Sequence, residues 1–163
     1  FVVKYYFGAT PVQFVRVFMN TRHLRTMAMC VKHLHIDATY RLIIESYPVV
    51  EVGVTDTAKK FHICGVAVIP SETTDDYSFV FQSLRKGVEN EMKMKYQPTY
   101  LVADCALAIT SGFQNTFGID FKRVYCYFHV KKVYKKHIKV RNHKNALIKD
   151  IDDSRLSPSQ EIN

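Results

Sequence analysis

Two aspartates, Asp37 and Asp104, each stand at the end of a short apolar run and are the side chains best suited to metal chemistry. The runs predict strands, and strands that lie side by side would bring both carboxylates to one edge of a sheet. Carboxylate oxygens are the donors that Mg²⁺ and Mn²⁺ prefer. Two such ions about 4 Å apart can clamp the attacking and leaving oxygens of a phosphodiester. The pattern therefore predicts a divalent-metal site for phosphoryl transfer.

Each aspartate also has a simpler interpretation. Asp104 could cap the helix that follows it, and Asp37 could belong to a turn. The spacing alone leaves these alternatives open. Other chemistries are less well supported, because the sequence has no phosphate-binding or dinucleotide-binding glycine pattern and no nucleophile elbow.

Cys126 and His129 form a Cys-x-x-His element where a predicted strand passes into a helix. Both residue types bind zinc, but a structural zinc site needs four ligands. The sequence offers no clear second pair at matching spacing. We therefore do not expect zinc, and the alternative is a buried cysteine followed by a histidine that hydrogen-bonds at the helix start.

The hydrophobic pattern predicts the elements that would position these residues. The predicted elements are, in chain order, strands over 31–37, 48–56 and 61–69, a helix over 73–95, a strand over 100–103, a helix over 106–117, a strand over 121–126 and a helix from 127. Short polar linkers make the first three strands an antiparallel meander. The helix that follows them is a crossover, which makes the fourth strand parallel to one of the first three. The predicted fold class is therefore α/β.

Residues 1–30 are predicted to be an N-terminal segment that is helical in part. Thr10-Pro11 is typical of a helix start. Helical spacing then relates the apolar residues Val12, Val15, Phe18 and Met19. We expect this segment to be distinct from the domain at 31–149, and we expect a flexible tail at 150–163.

The positive charge of the chain is concentrated near its C-terminus. Residues 37–120 contain 11 acidic residues and 7 Lys or Arg, whereas residues 121–149 contain 10 Lys or Arg and no acidic residue. Such a block favours a polyanion, nucleic acid first, and would contact the phosphate backbone of DNA. The predicted DNA-binding residues are Lys122, Arg123, Lys131, Lys132, Lys135, Lys136 and Lys139. The alternative is an ordinary solvated helix face.

Length and composition indicate one globular domain. The chain has 163 residues, 47% of them hydrophobic, and begins at Phe1, so we expect a fragment or an excised domain. No apolar run is long enough to span a membrane, and no signal peptide is recognisable. The four cysteines form no CxxC pair, which favours reduced thiols in an intracellular protein. The location that we expect is nuclear.

Seven short motifs in a fixed order resemble the transposase domain of Mutator-like elements (MULE). The motifs are Phe18-Met19-Asn20-Thr21-Arg22, His35-Ile36-Asp37-Ala38-Thr39-Tyr40, Tyr47-Pro48-Val49 with Val54-Thr55-Asp56, Phe61-His62, Ser71-Glu72-Thr73, Val102-Ala103-Asp104 and Cys126-Tyr127-Phe128-His129-Val130. Each motif is weak, and their joint order and spacing carry the resemblance. It covers about Phe18 to Lys136.

The resemblance implies a ribonuclease H-like fold with a mixed five-stranded sheet, three antiparallel strands followed by two parallel ones, and flanking helices. It also implies a DDE-type site for metal-dependent DNA cleavage and strand transfer. Asp37 would be the first catalytic acid and Asp104 the second, both binding Mg²⁺ or Mn²⁺. Cys126 and His129 match the Cys-x-x-His motif that precedes the family's third acid.

The third acid is the point where the sequence departs from the family. The family's Glu lies well downstream of Cys-x-x-His on a later helix, and here only Glu161 follows, in the predicted tail. Asp150, Asp152 and Asp153 are poor substitutes. We therefore expect a domain with little or no activity alone and with weak metal binding. The alternative is a domesticated, non-catalytic DNA- or protein-binding module, and self-association into a homo-oligomer is left open.

Overall fold

The computed structural model describes residues 2–7, 15–40, 42, 46–137, 146, 148–150 and 153. The chain divides into two compact units, residues 1–124 and residues 125–163. Among the described residues, no helix is both long and apolar enough to cross a membrane.

Seven strands and four helices make up the described elements. The strands are β1 (Val2–Phe7), β2 (Val15–Asn20), β3 (His33–Thr39), β4 (Val49–Thr55), β5 (Phe61–Val68), β6 (Tyr100–Ala103) and β7 (Lys122–Tyr125). The helices are α1 (Arg22–Met29), α2 (Thr74–Met92), α3 (Leu107–Phe117) and α4 (Tyr127–His137). The fold class is α/β, as predicted, and each element predicted from residue 31 onwards is present with ends shifted by a few residues at most.

All seven strands form one mixed sheet in the order β1-β2-β5-β4-β3-β6-β7. Strands β3, β4 and β5 pair antiparallel, and β6 pairs parallel with β3. The predicted meander and the parallel fourth strand are therefore confirmed, with α2 as the crossover. Because β5 runs in the same direction as β3 and β6, the carboxyl ends of these three strands lie at one edge of the sheet.

The predicted number of five strands is wrong, because β1 and β2 extend the sheet. Residues 15–19, which were predicted to be helical, lie in β2, which pairs antiparallel with both β1 and β5. Val15 and Val17 also alternate with period two, which is the spacing of a strand. The segment forms a strand and not a helix because it pairs with β5, and such tertiary pairing overrides a weak helical signal. Thr10-Pro11 lies outside the described residues.

Helix α2 begins with a capping box. The hydroxyl of Thr73 accepts a hydrogen bond from the backbone N–H of Asp76, and the Asp76 carboxylate accepts one from the N–H of Thr73. Asp76 is buried and also accepts from Nε of Arg16 at 2.6 Å, so the same carboxylate ties α2 to strand β2. The helix start is therefore fixed to the sheet as well as capped.

The core lies between the sheet and helices α2 and α3. The predicted apolar stripe of α2 is buried at Tyr77, Phe81, Leu84 and Val88. Phe81 contacts Phe113 of α3 edge to face, with ring centroids 5.3 Å apart. The two helices approach closely at Gly112, where an added Cβ would lie 2.7 Å from the Cβ of Tyr77. This packing fixes α3, which starts three residues after Asp104.

Candidate metal site

The parallel pairing of β3 with β6 stops two residues before Asp37 and Asp104. His35 pairs with Val102, and continuing that register by two residues matches Asp37 with Asp104, which directly follows β6. Paired positions on neighbouring strands are about 4.8 Å apart and their side chains share a face. The parallel pairing therefore puts the carboxyl ends of β3 and β6 at the same end of the sheet, and the catalytic and metal-binding roles of Asp37 and Asp104 stay predictions.

Backbone amides orient both carboxylates. Oδ1 of Asp37 accepts a hydrogen bond from the N–H of Ala38 at 2.9 Å, and Oδ1 of Asp104 accepts one from the N–H of Ala106 at 2.9 Å. Asp37 lies within β3, so the turn interpretation is wrong. Ala106 is the N-cap residue of α3 and has no side-chain cap, so Asp104 shapes the approach to that helix without being its cap.

Glu51 is a neighbour of Asp37 that the sequence analysis did not identify. It lies directly opposite Asp37 in the antiparallel register of β3 and β4. Glu51 and Asp37 therefore share one face of the sheet, and the continued register of β3 and β6 would put Asp104 on the other side of Asp37. The signal in the sequence was an acid that interrupts a valine-rich strand, because Val50 and Val52 flank Glu51.

A further acid, Glu72, accepts a hydrogen bond from the buried hydroxyl-bearing side chain of Tyr77. Glu72 follows the carboxyl end of β5, and its Oε1 accepts a hydrogen bond from the hydroxyl of Tyr77 at 2.6 Å. Burial, this hydrogen bond and the charge of Glu72 raise the pKa of Tyr77. The charges of Asp104 and Asp37 also raise the pKa of Tyr77. The Tyr77 hydroxyl is therefore within electrostatic range of both aspartates. Glu72 belongs to the Ser-Glu-Thr motif, but its side-chain contact was not predicted.

Arg123 was predicted to contact DNA, and the structure shows that its guanidinium points to the backbone around Asp104. It donates to the carbonyl oxygens of Leu101, Ala103, Asp104 and Val124 and to the hydroxyl of Thr110. These contacts occupy the fork that a phosphate would need. Arg123 is therefore a poor candidate for a DNA contact.

The predicted lysines differ in their surroundings. Lys122 is exposed on β7, with its Nζ 5.9 Å from the centre of the Tyr100 ring. Lys131 is half-buried on α4 and its Nζ lies 5.6 Å from the centre of the Tyr127 ring. Three predicted residues are exposed on α4: Lys132, Lys135 and Lys136. Lys139 lies outside the described residues.

Cys126 and His129 lie at the start of α4, as predicted. The carbonyl oxygen of Cys126 accepts the N–H of Val130 at 3.0 Å, which closes the first helical turn. Both residues are half-buried. They belong to the second compact unit, residues 125–163, and the aspartates belong to the first.

Histidines occupy the same face of β3 as Asp37, towards the start of the strand. His33 accepts the N–H of Thr55 at 3.1 Å, and the hydroxyl of Thr55 lies 2.9 Å from Nε2 of His35. Burial, and then the neighbouring charge of His33, lower the pKa of His35 to about 4. His35 is therefore neutral near pH 7.

The two aspartates fit a hard divalent cation of modest affinity. They offer oxygen donors on an open edge, which suits Mg²⁺ or Mn²⁺ with water and phosphate completing the shell. Among the residues that the structure describes, no group of three or more His, Cys, Asp or Glu is arranged to hold a metal ion. The donor chemistry therefore fits the cation, with two protein ligands.

A comparison with protein-family models identifies the family. The model described as MULE transposase domain matches residues 33–133, which is more than half of the chain. The chain belongs to the MULE transposase domain family. Searches of curated proteins and of solved structures found no match. The match begins at β3 and ends within α4, so it includes both aspartates and the Cys-x-x-His element of this MULE domain.

Proposed function

We propose that this chain is part of the catalytic domain of a Mutator-like DDE transposase, which cleaves DNA and transfers its strands with the help of divalent metal. The observation that supports the proposal is the parallel pairing of β3 with β6, because its register, continued two residues beyond His35 and Val102, would match Asp37 with Asp104. Membership of the MULE family supports a transposase-type function.

Asp37 and Asp104 would hold Mg²⁺ or Mn²⁺ between them. When bound, the cation would supply positive charge to the phosphate oxygens of DNA as they gain negative charge. The residues of the chain contribute orientation, because the N–H groups of Ala38 and Ala106 each fix one carboxylate oxygen. The carboxylate oxygens of such a pair are the natural metal donors.

We also propose that residues 1–163 do not cleave DNA by themselves. A DDE site needs three acids, and this sequence contains two of them at matching positions. Glu51 and Glu72 add negative charge near the site, but neither forms a three-donor group with the aspartates among the described residues. Metal binding without cleavage is the expected behaviour.

Paramagnetic broadening by Mn²⁺ tests the shared site directly. In an NMR titration, substoichiometric Mn²⁺ should broaden the backbone amides of Ala38 and Ala106 together, since one ion would lie close to both. The internal control is Asp56, a carboxylate that hydrogen-bonds to His62 at the far end of β4. Broadening that begins at Asp56, or that affects only one of the two alanines, would contradict the proposal.

A second candidate function is a non-catalytic DNA-binding module derived from a transposase. The exposed lysines of α4, Lys132, Lys135 and Lys136, favour it because they can contact phosphate without any metal. DNA would be the partner in both cases, and both agree with a nuclear location. The two differ in whether DNA affinity depends on Asp37: a module binds DNA equally well with Asp37→Asn, in the presence or absence of Mg²⁺.

A further inference from the structure

The guanidinium of Arg123 donates hydrogen bonds to four backbone carbonyls near the end of strand β6. Nη1 donates to Val124 at 2.7 Å, to Leu101 at 3.2 Å and to Ala103 at 3.4 Å. Nη2 donates to the carbonyl oxygen of Asp104. The contacts span β6, the residue that follows it and β7, so one side chain ties together the backbone that carries Asp104.

Arg123 is itself held in place by α3. Its Nε donates to the hydroxyl of Thr110 at 3.1 Å. Thr110 lies in the first turn of α3, and Asp104 Oδ1 binds the N–H of Ala106 just before that helix. The segment 104–106 is therefore enclosed between two fixed points, the guanidinium and the start of α3.

The geometry suits arginine and no other cation. A guanidinium has five N–H donors in a rigid fork, which can serve several carbonyls at once, whereas an ammonium group is a point charge. The carbonyls of residues that end a strand lack the next ladder partner, and buried carbonyls need donors. Arg123 is half-buried, and the acceptors described for it include four backbone carbonyls and the hydroxyl of Thr110.

We propose that Arg123 is a positioning residue for Asp104. By fixing the peptide of Asp104 against β7 and α3, it sets where the Asp104 carboxylate stands beside Asp37. This role for Arg123 goes beyond the proposed function, and its consequence for metal affinity rests on that function. In this role Arg123 acts on the metal site through the position of Asp104.

The test uses Arg123→Lys, which keeps the charge and the aliphatic stem and removes the fork. Hydrogen exchange of the Ala106 amide is the direct readout, because that N–H donates to the Asp104 carboxylate. We expect its protection to fall at least tenfold, with the amides of β4 unchanged. The matched control is Arg85→Lys, which alters another half-buried arginine that donates to a carbonyl, that of Thr116 at the far end of α3.

Thr110→Val provides a second test that leaves the arginine in place. It removes the acceptor of Nε, so the loss of protection at Ala106 should be smaller than in Arg123→Lys and in the same direction. Protection at Ala106 within twofold of the parent in both variants would overturn the proposal. So would an equal loss in Arg85→Lys, since that would mark a general loosening of the fold.

Mn²⁺ affinity separates this proposal from the proposed function. If the parent binds Mn²⁺, Arg123→Lys should weaken binding about tenfold and Arg85→Lys should not, and equal affinities would overturn the positioning role. If the parent does not bind Mn²⁺, the proposed metal site fails. The exchange rate of Ala106 still decides the role of Arg123 in that case.

Discussion

Glu51 and Asp37 are two negative side chains that face each other across neighbouring strands. Like charges directly opposite each other in a sheet are destabilising. The pair lies near the carboxyl end of β3, where Asp37 is exposed to solvent. A cation bound there would relieve the repulsion. Charge that opposes folding and favours a ligand is typical of a functional site.

We predict that Glu51→Gln stabilises the metal-free protein by up to about 1 kcal/mol, because it removes the repulsion with Asp37. Urea unfolding followed by circular dichroism measures the change. The same substitution made in an Asp37→Asn background should have no such effect. Equal changes in the free energy of unfolding in both backgrounds would mean that the two carboxylates do not interact.

His35 gives a prediction with a defined pH window. Its pKa is lowered to about 4, so the unfolded chain binds the proton more tightly. Stability that depends on neutral His35 is complete above pH 6.5 and is lost as the pH falls towards 4, by at most about 1.4 kcal/mol for each pH unit. His35→Gln should flatten this part of the curve. The free energy of unfolding between pH 7 and pH 4.5 measures it.

The matched control for His35 is His23→Gln, which changes an exposed histidine on α1. The difference between parent and variant isolates one side chain, because the other titrating groups are common to both. A pH slope that is the same in His35→Gln and in the parent would contradict the burial argument.

At the scale of single residues, the sequence revealed the acids but not their partners. Asp37 and Asp104 could be predicted because each ends an apolar run. The contacts of Arg123 with Leu101, Ala103 and Asp104 could not be predicted, since these residues are about 20 positions away and meet Arg123 only because β6 and β7 are neighbours in the sheet. The contact of Glu72 with Tyr77 joins residues only five positions apart, but no residue pattern in the sequence indicated it. Arg123 was assigned to DNA from its charge, and its contacts with the backbone around Asp104 were not expected.

At the scale of elements, helix α3 determines the direction in which the chain leaves Asp104. Its contact with α2 depends on Gly112, where an added Cβ would lie 2.7 Å from Tyr77 Cβ and 2.9 Å from the backbone nitrogen of Ser78. Neither atom is the end of a flexible side chain. The two helices would have to separate to admit a methyl group.

Gly112→Ala should therefore destabilise the protein by about 1 to 3 kcal/mol, although alanine favours a helix. Thermal unfolding measures the loss. Ser111→Ala, one residue earlier on α3, is the control for helix propensity. A Gly112→Ala protein as stable as the parent would show that α2 and α3 pack less closely than the structure indicates.

The elements themselves were largely predictable from residue 31 onwards. Period-two valines, capping threonines and an apolar stripe each act locally, so the sequence contains enough information to assign them. Strand β2 was not predicted, because its apolar residues fit both the period of a strand and the spacing of a helix. Its pairing with β5 makes it a strand. The seven-stranded sheet is thus a tertiary result that short-range patterns could not give.

At the scale of the whole molecule, the charge is divided along the chain. The acids gather at the carboxyl edge of β3 and β6, and exposed lysines lie on α4. A lysine-rich face contacts the phosphates of DNA and not the edges of its bases. Binding therefore releases counterions from the DNA but does not depend on the base sequence.

We predict that DNA binding falls steeply with salt and varies little with sequence. Replacing both Lys132 and Lys136 with Gln should reduce the slope of log affinity against log salt by about two, since each phosphate contact contributes about one. Fluorescence anisotropy with short duplexes measures it, and Lys86→Gln, an exposed lysine of α2, is the control. An affinity that stays constant between low and high salt would contradict this account.

Calorimetric titration with Mn²⁺ tests the central claim most directly, which is that Asp37 and Asp104 form one site. The parent should bind weakly, Asp37→Asn and Asp104→Asn should each abolish binding while the circular dichroism spectrum is unchanged, and Asp56→Asn should bind like the parent. If both aspartate variants bind Mn²⁺ as the parent does, the two strands do not build a metal site.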